Sequence, residues 1–209
     1  MVLPCKDQLK RYLVQDPKNK KSLKRNLKKI LRKAKADPNI LILAEDEAAL
    51  ISIAATTRMW ALKGIQPKVN VNTAKRKRVT LFGAVSLTDD SHFSAIAGRR
   101  NTETFSDFLK YIYEENQGKR IIMILDNVRF HHAKVIKEKL LPSMERLEFV
   151  FLPVYSPDLN PQEWVWKELR HKVTHNAYYE NFYEELKATH DFLKEYVLPT
   201  KQLLCRIIF

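Results

Sequence analysis

The chain has 209 residues, 45% hydrophobic and 10% aromatic, which is enough to bury a sizeable core in one main domain. Its net charge is +13 with only four glycines and two cysteines, which excludes a disulfide-stapled scaffold and a glycine-rich phosphate loop. No apolar stretch approaches a membrane span and the N-terminus has no signal-peptide core, so the expectation is an intracellular, cytoplasmic protein whose isolated Cys5 and Cys205 stay reduced.

The charge is unevenly spread. Residues 1–37 hold 13 Lys and Arg against 3 acids, leaving only +3 for the other 172 residues. Within this segment, residues 22–35 read as an amphipathic helix: Leu23, Leu27, Ile30, Leu31 and Ala34 share one face and basic residues cover the rest. Such a helix suits a polyanion, with Lys24, Lys28 and Arg32 as the cations that would track phosphates; a solvated lysine-rich face is the plainer alternative. Asp37-Pro38-Asn39 ends it.

Residues 40–44 form a continuous apolar run, as expected of a central strand covered on both faces, and they stop at Glu45-Asp46-Glu47. Residues 51–77 read as irregular. Residues 79–87 and 92–97 read as a hairpin joined by Thr88-Asp89-Asp90-Ser91. Thr102 is placed to cap a helix ending near Asn116, with Phe105, Phe108, Leu109 and Ile112 on one face. A second buried strand, 120–125, runs into Asp126-Asn127. A short helix over 132–141, a strand over 147–152 and helices over 161–175 and 179–196 complete the chain. This order fits an α/β, ribonuclease-H-like architecture: a mixed five-stranded sheet with helices on both faces.

Two strands ending in acids, Asp46 and Asp126, and a glutamate in the first turn of a helix, Glu163, can gather hard oxygen ligands at one sheet edge. Phosphoryl transfer benefits from two divalent ions about 3.5–4 Å apart. Each acid also has a structural reading. Asn160-Pro161-Gln162-Glu163 resembles a capping box in which Glu163 reaches back to Asn160. Asp126-Asn127 also suits a strand-ending turn, and Glu45-Asp46-Glu47 a solvated loop edge.

The stretches Glu45-Asp46-Glu47-Ala48, Arg58-Met59-Trp60-Ala61-Leu62-Lys63-Gly64, Leu125-Asp126-Asn127 with His131 five residues after the acid, and Leu152-Pro153-Val154-Tyr155-Ser156-Pro157-Asp158-Leu159-Asn160-Pro161-Gln162-Glu163 resemble the DDE catalytic domain of mariner-superfamily transposases, prokaryotic insertion-sequence branch. The resemblance covers about residues 18–200, and the last stretch is its most specific part; 36 residues separate Asp126 from Glu163, close to the family spacing. It implies a ribonuclease-H-like fold and a metal-binding catalytic triad of Asp46, Asp126 and Glu163, holding Mg2+ or Mn2+ as substitute. It also implies cleavage at transposon ends, then attack of the freed 3′-hydroxyl on target DNA, usually at TA. The family works as dimers on double-stranded DNA, which would put the protein at the nucleoid.

The resemblance divides the chain into a basic helical linker, 1–37, and a catalytic domain, 38–209. Family members carry helix-turn-helix modules ahead of the linker. None is seen in this sequence, so a split reading frame, a frameshift-joined product or a truncated remnant is expected. Two functional alternatives stand beside the transposase: a non-catalytic DNA-binding remnant, and a cellular nuclease of the same fold acting on hybrids or branched DNA.

Arg58 and Trp60 are further candidates for nucleic-acid contact, Trp60 by stacking on an unpaired base, although core packing is the usual place for a Trp. His131 follows Asp126 closely enough to contact a phosphate or orient a water, or to pack at a helix start. His171 and His175 stand at i, i+4, but nothing in the sequence completes a zinc site. Of Trp164 and Trp166, two apart on a helix, at most one can be core.

Overall fold

The computed structural model of the chain describes residues 17–52, 55–70, 76–153 and 159–195. Cys5, Cys205, the first part of the basic segment, Ile53-Ala54, the Tyr155-Ser156-Pro157-Asp158 turn and Tyr196 lie outside the described residues.

Helix α1 (Pro17–Ala36) is longer than the 22–35 expected, with Pro17 in the first helical position, where its missing N–H costs nothing. Leu27, Leu31 and Ala34 are buried against the sheet and Ile30 partly so, as the amphipathic spacing predicts. Strand β1 (Ile40–Ile51) follows, then β2 (Arg78–Ser86), β3 (His92–Ala97), helix α2 (Thr102–Glu115) and β4 (Arg120–Leu125). Asn101, not Thr102, caps α2: its Oδ1 accepts from the Thr104 amide at 2.9 Å, and the Thr104 hydroxyl accepts from the Asn101 amide at 3.3 Å. Instead of one short helix over 132–141, the chain makes a 3-10 turn (Arg129–His132), a π-helical stretch (Val135–Leu140) and a last turn (Leu141–Ser143) containing Pro142. Strand β5 (Leu147–Phe151), helix α3 (Gln162–Leu169) with a π turn after it (Arg170–Thr174), and helix α4 (Phe182–Glu195) complete the described chain.

The sheet order is β3-β2-β1-β4-β5. β1, β2 and β3 are antiparallel neighbours, whereas β1, β4 and β5 run parallel. Helices α1, α3 and α4 cover one face, packing on Ile42, Ala44, Leu81, Val85, Ile122 and Ile124. Helix α2 and the 129–143 stretch cover the other, packing on Leu41, Leu43, Phe82, Ala84, Ile121, Met123 and Leu125. The alternation of these two sets along each strand is the period-2 consequence of the pleat. It confirms a mixed five-stranded sheet with helices on both faces.

The extent of β1 also differs from the expectation. β1 does not end at Ala44 but runs through Glu45-Asp46-Glu47 to Ile51, because β2 pairs with it from Leu43↔Ser86 to Ile51↔Arg78. Backbone pairing carries the charged triplet through the strand although its side chains break the apolar run.

Helix α3 docks through a close approach. Gly83 on β2 faces the Gln162 amide and the Trp166 ring, both fully buried, and a Cβ there would meet the ring at 2.7 Å. Gly83→Ala should therefore overpack this contact and lower stability by about 1–3 kcal/mol, read by urea unfolding of parent and variant. Equal midpoints would show that α3 yields at no cost.

Candidate active site

The parallel register of β1 and β4 aligns Leu43 with Met123 and Ala44 with Ile124. Two residues further along each strand stand Asp46 and Asp126. Asp46 belongs to the alternation set of Ile42 and Ala44 and so addresses the face covered by α3, while Asp126 stands just past the last residue of β4. β4 ends at Leu125, which opens the sheet beside Asp46. Helix α3 brings Glu163 over this opening in its first turn.

The charges of Glu163 and Asp126 both act on Asp46. Burial pushes the Asp46 carboxyl well above its usual range, and the charges of Glu163, Glu47 and Asp126 push it further; a hydrogen bond from the Glu47 amide works the other way. Asp126 behaves oppositely. Burial would raise its carboxyl, but His131, the Val128 amide at 3.2 Å and the charge of Arg100 hold it below the usual range.

Glu163 does not close the capping box that its spacing suggests. Asn160 accepts from the Gln162 amide at 3.1 Å and donates to the Glu45 carbonyl at 2.8 Å, tying the start of α3 to β1. The Glu163 side chain, 40% exposed, lies 3.9 Å from the Arg170 guanidinium. Asn127 also holds the strand ends together: its amide donates to the Leu152 carbonyl at 3.1 Å and its oxygen pairs with His132 Nε2 at 2.8 Å.

Glu45 and Glu47 belong to the opposite alternation set, with Leu41 and Leu43, on the face covered by α2. There they meet His131. Its Nε2 lies 3.0 Å from Glu47 Oε1 and 3.7 Å from Glu45 Oε2, while its Nδ1 lies 3.3 Å from Asp126 Oδ1 and 3.1 Å from the Asp126 carbonyl. The imidazole is 1% exposed and packs at 4.4 Å from both the Phe105 and the Phe130 ring. It is therefore not the surface DNA contact expected from the sequence, because the two rings and β1 enclose it. Burial alone would lower the His131 pKa from 6.5, but its hydrogen bonds to Asp126 and Glu47 and the Glu47 charge lift it to about 9. The Glu45 carboxyl is pushed well up by complete burial and then by Glu47, Asp46 and Asp126.

The other expected contacts lie elsewhere. Lys28 and Arg32 are exposed and Lys24 is half-buried along α1. Arg58 and Trp60 stand in the irregular 55–70 segment, and Trp60 is wholly exposed rather than core. Trp166 is the buried member of the tryptophan pair. His175 leaves the helical path after the π turn and bridges Ala55, so it is not a helical i+4 partner of His171.

Four side chains escaped the sequence reading. Glu45 and Glu47 continue the period-2 pattern of Leu41 and Leu43, a signal hidden by treating the triplet as a strand end. Arg170 stands two helical turns after Glu163 on the same face, a spacing visible in the sequence. Arg100 leaves no such signal, since only the fold brings the end of β3 near Asp126.

Residues 42–187 match the family model described as DDE superfamily endonuclease. The chain is 26% identical over 137 residues to the "Insertion element IS630 uncharacterized 39 kDa protein" of Shigella sonnei, a match spanning 65% of this chain and 39% of that one. Solved structures of the Mos1 transposase share the fold. A paired-end complex with the left transposon end aligns with TM-score 0.66 at 13% identity over 93% of this chain and 60% of that one. The mariner paired-end complex with Mn aligns with TM-score 0.66 at 15% identity and the same coverage. The complex with Mg gives 0.62 at 15% identity, again over 93% and 60% of the two chains. The ribonuclease-H-like reading of the element order is thus the fold found, and the chain spans less than two thirds of the length of each of these relatives.

The raised pKa of His131 sets a pH dependence. Its contribution to stability is fully present below about pH 6.5 and is lost as pH rises through about 9. The raised carboxyls of Glu45 and Asp46 act in the same direction, since each favours the folded state only while protonated. In metal-free buffer the unfolding free energy should fall between pH 6.5 and 9, and His131→Gln should flatten that slope. Denaturant titrations at four pH values read it, and an unchanged slope in the variant would assign the loss to another group.

Proposed function

The chain belongs to the DDE superfamily endonucleases, and we propose that it is the catalytic domain of a transposase, cutting DNA phosphodiester bonds at transposon ends and joining the freed 3′-hydroxyl to target DNA. What supports this reading is the register that sets Asp46 and Asp126 two residues past paired positions of two parallel strands, together with the charge of Glu163, from a helix start, acting on Asp46.

These three carboxylates would hold Mg2+, or Mn2+ in its place, as a pair of ions. The donor set fits: it is all hard oxygen, it lies at the opening where β4 ends, and the strain that its charges put on Asp46 is the strain a divalent cation relieves. Bound there, the metal supplies Lewis acidity at the phosphoryl group and lowers the pKa of the attacking hydroxyl. The chain's own residues do the rest. His131 and Arg100 keep Asp126 ionised. Asn160 anchors the helix start that carries Glu163. Arg170, close to Glu163, offers a cation to a backbone phosphate.

Double-stranded DNA is the proposed partner. The outer side of α1, with Lys24, Lys28 and Arg32, suits its phosphates, and Arg58 with the exposed Trp60 suits an unpaired or distorted stretch. End recognition by a helix-turn-helix segment, and a second copy of the chain to pair two ends, complete the reading. Among the described residues no helix is long and apolar enough to cross a membrane.

Cleavage of labelled duplex DNA in Mg2+ or Mn2+, with Asp126→Ala run beside the parent, tests the assignment. Cleavage should fall to background in the variant, and a variant that cuts as well as the parent would sink the triad. DNA affinity measured across salt concentrations tests α1 separately. Replacing Lys24, Lys28 and Arg32 by Ala should reduce the slope of log affinity against log salt by about 0.9 per lost phosphate contact, whatever the DNA sequence.

A further inference from the structure

We infer that His131 is a positioning residue: braced by Glu47 and Glu45 on the far face of the sheet, it sets the orientation of the Asp126 carboxylate and so the affinity of the site for its metal. The inference rests on the reading of Asp126 as a metal ligand.

Four oxygens surround the imidazole. On one side are the Asp126 carbonyl at 3.1 Å and Asp126 Oδ1 at 3.3 Å; on the other are Glu47 Oε1 at 3.0 Å and Glu45 Oε2 at 3.7 Å. Carbonyl and carboxylate oxygens only accept, so both ring nitrogens donate. The Phe105 and Phe130 rings pack against the imidazole with centroids 4.4 Å away in each case. Asp126 needs such a support. It stands just beyond the last residue of β4, its side chain is 42% exposed, and the Val128 amide at 3.2 Å is a second anchor.

Glu45 makes the arrangement hard to read as ordinary packing. It is fully buried, and neither carboxylate oxygen has a hydrogen-bond partner. A buried acid without hydrogen bonds is costly and persists when a nearby cation offsets it. His131 Nε2 lies 3.7 Å from Glu45 Oε2 and 3.0 Å from Glu47 Oε1, so the two glutamates and the histidine form one buried group that reaches the cleft through Asp126. A group that holds a ligating carboxylate typically alters metal affinity by about ten- to a hundredfold.

The test uses side-chain mimicry. The amide nitrogen of an asparagine stands near the position of a histidine Nδ1, and that of a glutamine near Nε2. His131→Asn therefore keeps the donor toward Asp126, and His131→Gln keeps the donor toward Glu47. Mn2+ binding to the full chain, without DNA, is measured by calorimetry and electron paramagnetic resonance, with Tm recorded in metal-free buffer. The expected result is a loss of roughly ten- to a hundredfold in His131→Gln, with most of the affinity kept in His131→Asn. A merely structural histidine predicts that the variant with the lower Tm binds more weakly, whichever it is.

Parental affinity in a folded His131→Gln protein overturns the inference. If that variant does not fold, His131→Asn decides: with the donor toward Asp126 kept, its Mn2+ affinity should stay near the parent's whatever its Tm. A loss of about tenfold there in a folded protein overturns the inference too. Asp126→Ala is the separate control. If it binds Mn2+ like the parent, or the parent binds none, the metal-ligand reading of Asp126 has failed and takes this inference with it.

Discussion

The parallel pairing of β1 with β4 is the contact on which the candidate site depends. Five residue pairs, from Ile40↔Arg120 to Ala44↔Ile124, join the strands, and the side chains of 41–44 and 121–125 are buried among helices on both faces. That apolar burial holds together two strands whose next residues repel. The core beneath keeps Asp46 and Asp126 near each other, and the Asp46 carboxyl is raised first by burial and then by the charges of Glu163, Glu47 and Asp126. The site is therefore strained electrostatically by its own scaffold, and this favours a cation between the acids.

The second organising constraint is the pleat. In Glu45-Asp46-Glu47 three consecutive acids are sorted by alternation, one to the cleft and two to the far face. The far pair meets His131, which enters from the 3-10 turn just after β4. Charge is thus distributed through the thickness of the sheet. Replacing any member of this group alters the others, because an oxygen or nitrogen of Glu45, Glu47 and His131 lies within 4.8 Å of the other two in a poorly screened interior.

Helix α3 supplies the third carboxylate, and its placement relies on an absent side chain. Gly83 lets Gln162 and Trp166 approach the backbone of β2, and Asn160 fastens the helix start to β1. A Glu in the first helical turn is then directed by two rigid neighbours rather than by a loop.

Much was legible in the sequence. The apolar runs at 40–44 and 120–125, the hairpin at 79–97 and the amphipathic helices reflect local periodicity, which burial enforces residue by residue; they determined the sheet, the helices and their order. The three acids stood out because each follows or opens such an element. The sequence could not show that β1 continues through its charged triplet, since that extension is held by backbone bonds to β2, a partner that begins about thirty residues later. Nor could it show that His131 turns inward to Glu45 and Glu47, that Asn160 fastens the start of α3 to the Glu45 carbonyl, or that Arg100 acts on Asp126. Those facts are pairings between distant segments. Local pattern fixes which residues prefer to be buried or capped, and only the packed sheet decides which of them meet.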